Sequence, residues 1–156
     1  MIQRRIILTI AIATFSVLML FGVSSWYGRP GQGFGIYLVK DNRLIIADND
    51  VLSYTWNSHT LKLTEEGARR IRELSVPVVG EPFVLKVNGE ELYRGYFWTS
   101  ISSISCNGIM IDVLRITDNC VSLENGYPSE SFFTGADPRD QKEVFEYFQR
   151  IGKLVQ

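Results

Sequence analysis

Eighteen consecutive residues without a charge, Ile6 to Val23, follow a short basic start, Met1-Ile2-Gln3-Arg4-Arg5. At a helical rise of ~1.5 Å per residue such a run covers roughly 27 Å, close to the thickness of the hydrocarbon core of a bilayer. The segment constrains everything behind it. It divides the chain into a cytoplasmic basic start (1–5), a transmembrane anchor or signal segment (6–25), a linker (26–35) and one domain (36–156). Two arginines precede the span and no comparable basic cluster follows it. The positive-inside bias therefore places the N-terminus in the cytoplasm and the domain on the periplasmic or extracellular side. Val23 and Ser25 form a small-residue pair suited to cleavage, so a secreted product is the alternative to a single-pass anchor. The span has no cysteine to carry a lipoprotein-type acyl group. Trp26 and Tyr27 suit the aromatic belt at the membrane boundary, and Gly28, Pro30, Gly31, Gly33 and Gly35 make a flexible spacer.

The remaining length is that of one ordinary domain with a single core. Apolar residues make up 46% of the chain and charged residues 21%, which is enough apolar surface to fold. Without residues 1 to 25 the domain carries 14 basic and 17 acidic side chains, a net charge of −3. A mildly acidic surface gives no electrostatic reason to bind nucleic acid.

Local pattern outlines an α+β fold. Gly35 to Lys40 and Leu44 to Ala47 read as strands around an Asp41-Asn42 turn, and Leu61 and Leu63 share one face of another. Thr64 is a good N-cap, with Glu65 and Glu66 in the first turn of a helix to about Leu74 that Pro77 stops. Ala68, Ile71 and Leu74 form its apolar face; Arg69, Arg70 and Arg72 are an anion site or, more simply, a solvated face with carboxylate neighbours. Asn88-Gly89 between β-formers is the signature of a two-residue hairpin, with Val87 opposite Glu90, Lys86 opposite Glu91, Leu85 opposite Leu92 and Val84 opposite Tyr93. Gly108 to Ile116 is so continuously apolar that it implies a strand covered on both faces. Asp137-Pro138 then opens an amphipathic helix to about Leu154, with Val144, Phe148, Ile151 and Val155 at helical spacing. The order implies a mostly antiparallel sheet with two helices on one face.

Few residues point to chemistry. His59 is the sole histidine, so a nucleophile–base pair would have to use it, with Asp48, Asp50 or Glu65 as acidic partner; the simpler role is a strand-edge histidine bonded to backbone. No nucleophile elbow, phosphate-cradling loop or metal-ligand spacing occurs, so no cofactor and no metal are expected. Cys106 and Cys120 are the only cysteines. A disulfide between them would add about 3 kcal/mol by restricting the unfolded chain, whereas two free thiols are ordinary core residues. Two stretches combine aromatics with polar groups: Tyr54-Thr-Trp-Asn-Ser-His-Thr60, and Tyr93 to Ser105 with three aromatics in a row followed by alternating hydroxyls. Trp56, His59, Tyr93, Tyr96, Trp98 and Ser100 are the candidate binding residues, on condition that the two stretches neighbour each other; core packing accounts for the same residue types.

The run Leu63-Thr-Glu-Glu-Gly-Ala-Arg-Arg70 followed by Phe83-Val-Leu-Lys-Val-Asn-Gly-Glu90 resembles the head of the large extracytoplasmic domain of SecD-type protein-export membrane proteins. The likeness covers roughly residues 60 to 115 and implies a similar local fold. With one apolar span and no channel-forming helices, translocase activity does not carry over, and the resemblance supplies no catalytic residues. Tyr93 to Thr99 also resembles the Tyr-x-Gly-x-Phe-Trp-Thr/Ser pattern of small bacterial membrane-tethered proteins of unknown function. The expectation is a non-catalytic, membrane-tethered binding or interaction domain. The alternatives are a secreted or tethered enzyme using His59 and an accessory subunit docking onto an envelope protein complex. A reporter fused after Gln156 tests the orientation: one that works only outside the cytoplasm should be active, and activity of a cytoplasm-only reporter refutes it.

Overall fold

The computed structural model describes residues 33–156, one compact unit from Gly33 to Gln156. The membrane or signal segment assigned to residues 6–25, and the linker up to residue 32, lie outside the described residues. Among the described residues no helix is long and apolar enough to cross a membrane.

Among the described residues the fold is α+β with ten strands and two α-helices: β1 (Phe34–Leu38), β2 (Leu44–Ala47), β3 (Val51–Thr55), β4 (Thr60–Leu63), α1 (Glu65–Arg72), β5 (Glu81–Val87), β6 (Glu90–Trp98), β7 (Cys106–Asp112), β8 (Cys120–Ser122), β9 (Glu124–Tyr127), α2 (Lys142–Arg150) and β10 (Leu154–Val155). The strands divide into two sheets, β2-β1-β5-β6-β7-β9 and β10-β3-β4-β8. Pairing is antiparallel except for β6 with β7 and β10 with β3. Sequence pattern implied one sheet. The chain changes sheet at a tight turn, Asp48–Asp50, where buried Asp50 accepts from the Ala47 N–H and ion-pairs with Arg70, while its carbonyl accepts from Thr64 N. A buried carboxylate paired in this way holds a corner that apolar periodicity does not reveal.

Both sheets feed one core. Ile36, Phe83, Phe97 and Ile109 of the first meet Tyr54, Leu61, Leu63 and Val121 of the second, with Ala68 and Ile71 of α1 and Val144 and Phe148 of α2. The helices thus join a core shared by two sheets instead of covering one face of a single sheet. α1 is capped as expected, since Thr64 Oγ1 accepts from Gly67 N at 3.1 Å. Its arginines are tied locally: Arg69 to Glu66 and Glu73, Arg70 to Asp50 and Glu66, Arg72 to Glu65.

One register and three boundaries differ from expectation. The hairpin turn is present, with Asn88 at φ 52° and Gly89 at φ 87°, and Val87↔Glu90 and Lys86↔Glu91 pair as read. A bulge then inserts Leu92, so Leu85 faces Tyr93 and Val84 faces Arg94. The extra residue brings Tyr93 onto the inner face with Gly95 and Phe97. The last helix is shorter than Pro138 to Leu154: Asp137 is spent on Arg139, Gln141 becomes the N-cap, and Gly152 at φ 71° turns the chain so that Leu154 and Val155 pair with β3. β7 stops at Asp112 because its carboxylate accepts from Leu114 N at 3.0 Å and bends the chain. β1 starts at Phe34, inside the stretch read as spacer.

Gly95 shows how tightly the sheet meets the core. A Cβ there would lie 2.5 Å from the Phe83 ring and 2.6 Å from the Ile109 carbonyl oxygen, which cannot retreat without opening the β6–β7 pairing. Gly95→Ala should therefore cost about 1–3 kcal/mol or more, read as a lower denaturant midpoint at unchanged slope. An unchanged midpoint would contradict the packing described.

Candidate functional site

The turn from β3 into β4 carries the first polar–aromatic stretch. His59 sits there at φ 48°, 8% exposed, with its Nδ1 2.7 Å from the hydroxyl of Tyr54, which lies in the core. On the other side of the ring, Nε2 is 3.6 Å from Asp140 Oδ1. A carboxylate facing Nε2 favours the tautomer protonated there, so Tyr54 donates to Nδ1. Burial lowers the pKa of His59, Arg139 adds to the effect, and Asp137 and Asp140 oppose it. Burial pushes the Tyr54 hydroxyl well above the ordinary phenol range. Trp56 packs edge-on against His59, with ring centroids 5.5 Å apart, and against Phe145 of α2 at 5.0 Å.

The segment Asp137 to Asp140 closes this end of the fold like a strap. Arg139 Nε donates to Asp137 Oδ1 at 2.9 Å and its Nη1 to the Leu123 carbonyl at 2.6 Å, while Asn125 Nδ2 donates to Asp137 Oδ2 at 2.9 Å. Those hydrogen bonds, led by that from Arg139, hold the Asp137 carboxyl far below the usual carboxylate range. The strap thus ties β9 of one sheet to the β3–β4 turn of the other.

With Nδ1 taken by Tyr54 and Nε2 facing Asp140, His59 activates neither of the neighbouring hydroxyls. Ser58 instead bonds Thr60 Oγ1, and Thr60 bonds Ser122. The acidic partners expected for His59 are elsewhere: Asp48 accepts from Tyr147, Asp50 pairs with Arg70, and Glu65 holds Arg72 and Asn119. Asp140, not singled out in the sequence, is the carboxylate that faces the ring. Among the described residues no group of histidine, cysteine or acidic side chains could hold a metal ion. Cys106 on β7 and Cys120 on β8 are free thiols.

β6 divides the six candidate binding residues. Its alternation turns Tyr93 inward, towards Tyr54 and the strap, and burial raises the pKa of its hydroxyl. Trp56, His59 and Tyr93 therefore belong to the inner side. Tyr96 and Trp98 point to the opposite face of the sheet, where Trp98, Cys106 and Met110 form a second small cluster with Tyr127. Met110 lies here while Ile109 and Ile111 lie in the main core, so β7 is covered on both faces. Ser100 joins through its carbonyl, which accepts from the Tyr127 hydroxyl at 2.9 Å.

Around that outer cluster, where β1, β6 and β7 end and β5 begins, several aliphatic side chains reach the surface. Val39, Val78, Val79, Ile101, Ile104 and Leu114 are all exposed, Ile101 by 76% and Val79 by 59%. Hydrogen bonds join their loops: Ser102 Oγ to the Val78 carbonyl at 2.6 Å, Val39 N to Pro82 O at 3.0 Å, and Val113 N to Trp98 O at 3.0 Å. None of these six was singled out as a binding residue in the sequence, because aliphatic side chains in loops carry no periodicity.

No family model, curated protein or solved structure matches this chain.

The His59 environment makes a pH prediction. Its folded-state pKa lies below the ordinary 6.5, so the unfolded chain binds the proton first as pH falls. Its contribution to stability is intact above about 6.5 and declines as pH drops from there through the folded-state value. Over the range from about 7.5 to about 5, unfolding free energy should fall more steeply for the native protein than for His59→Gln. Parallel profiles would contradict this. Tyr54→Phe, which leaves Nδ1 buried without a donor, should cost about 1–3 kcal/mol.

Proposed function

We propose that this chain is a membrane-tethered, non-catalytic domain that works outside the cytoplasm by docking onto a partner protein of the cell envelope. The exposed apolar end of the first sheet is the observation that carries this reading. Single exposed aliphatic residues are ordinary on a soluble surface, but a cluster joined through three loops favours an interface. The cleft lined by Glu124, Asn125, Ser129, Glu130 and Arg139 is open and polar. A small-molecule site is usually more apolar and enclosed. The locked His59 relay argues against an enzyme. The basic start and uncharged run of residues 1–23, and the likeness to SecD-type heads, support the tether and the extracytoplasmic side.

The test uses the full chain in its own membrane, with a photo-crosslinking residue at position 101. A discrete crosslinked protein product is expected. Ile101→Asp, at an exposed site, should change stability by no more than about 0.5 kcal/mol while abolishing the phenotype or the assembly that the native chain supports. Full function of Ile101→Asp together with no product from position 101 would defeat the proposal.

A further inference from the structure

The exposed aliphatic residues lie at the end of the first sheet opposite the point where the chain enters it. Gly33, the first described residue, accepts from Asn88 N at 2.8 Å, so the chain arrives level with the Asn88-Gly89 turn. Strand registers carry that level across the sheet, with Phe34 facing Val87 and Val87 facing Glu90. At the other end Leu38 faces Phe83, Glu81 faces Phe97 and Trp98 faces Asp112. Val39, Val78, Val79 and Leu114 lie just beyond those last pairs, and the bond from Ser102 Oγ to the Val78 carbonyl brings Ile101 to the same end. β5, seven residues long, joins the two levels, a separation of roughly 20 Å at ~3.3 Å per step.

The two ends also differ in chemistry. At the entry end Asn88, Gly89 and Glu90 are exposed, and the cleft beside them is lined by Glu90, Glu143, Glu146 and Arg150. At the far end the cations that border the aliphatic side chains are taken up by carboxylates of the same domain. Lys40 lies 2.9 Å from Glu81, Arg43 3.6 Å from Asp41 and Arg115 3.2 Å from Asp112. A surface that settles on a bilayer sets free lysines and arginines around its apolar residues to meet anionic headgroups. The far end offers aliphatic area without that charge, which suits another protein surface better than a lipid one.

Chain length points the same way. Nine residues, 24–32, separate the uncharged run from Gly33. A glycine-rich chain of that length covers ~17 Å on average. Laying the far end on the bilayer would demand more than the roughly 20 Å length of the sheet from it. We infer that the far end is covered by an aliphatic, water-exposed surface on the extracytoplasmic part of the partner, and not by the bilayer or by a membrane-spanning helix. This rests on the tether and docking readings and names the surface that the partner must present.

The test needs no substitution: the full chain, 15N-labelled, in nanodiscs whose lipids carry a gadolinium-chelating headgroup. The amide signals of Gly89 and Glu90 should relax several-fold faster than those of Val79 and Ile101. In cells, the crosslink from position 101 should map by mass spectrometry to a partner residue outside every membrane-spanning segment. Equal or faster relaxation at Val79 and Ile101, or a crosslink into a spanning helix, overturns the inference while leaving docking in place. A mature chain whose mass lacks residues 1–25 would remove the tether and this inference with it. Absence of any product from position 101 would remove docking itself.

Discussion

One apolar core serves two sheets, and that sharing decides where every aromatic side chain of β6 points. Phe97 must face Phe83 and the second sheet, Gly95 must leave room for the Phe83 ring and the Ile109 carbonyl, and the bulge at Leu92 swings Tyr93 to the same side. What remains, Tyr96 and Trp98, is turned to the other face. A single strand therefore sends half of an aromatic run into a structural interior and the other half towards the outer end, where they underlie the exposed loops.

The polar strap is the complement of this arrangement. Two sheets brought together over an apolar core leave an open margin, and Asp137, Arg139 and Asp140 close it by reaching Asn125, the Leu123 carbonyl and His59. Asp137 and Arg139 are partly buried and Asp140 is exposed, so their charges add little net stability over an apolar substitute. Their role here is one of register: the strap fixes how the β3–β4 turn sits against β9, and α2 and β10 follow from it in the chain. His59, the only histidine, is thereby given a structural task that its residue type alone would not disclose.

Much of the fold was legible because local physics and tertiary context agree. Thr64 caps α1, Asn88-Gly89 makes the hairpin turn, Leu61 and Leu63 point inward together, and the continuous apolar run of β7 is covered on both sides. Where sequence reading failed, a polar side chain had overruled pattern. Asp137 looked like a helix cap and became half of an ion pair; Asp112 ended a strand that apolar content extended to Ile116; Asp50 turned the chain into a second sheet. Of the candidate site, the aromatic residues were visible, but their division between two faces depends on a one-residue bulge, and Val78, Val79 and Ile101 gain meaning only when folding gathers them.

The central claim is that the outer end is covered by a partner in the cell. Cysteine accessibility tests it directly, in a Cys106→Ser, Cys120→Ser background carrying either Ile101→Cys or, as a reference at the exposed hairpin, Glu90→Cys. Both positions are exposed in the isolated domain and should react at similar rates with a membrane-impermeant maleimide once purified. In intact cells Ile101→Cys should react much more slowly than Glu90→Cys. An unchanged ratio of the two rates between cells and purified protein would contradict the account.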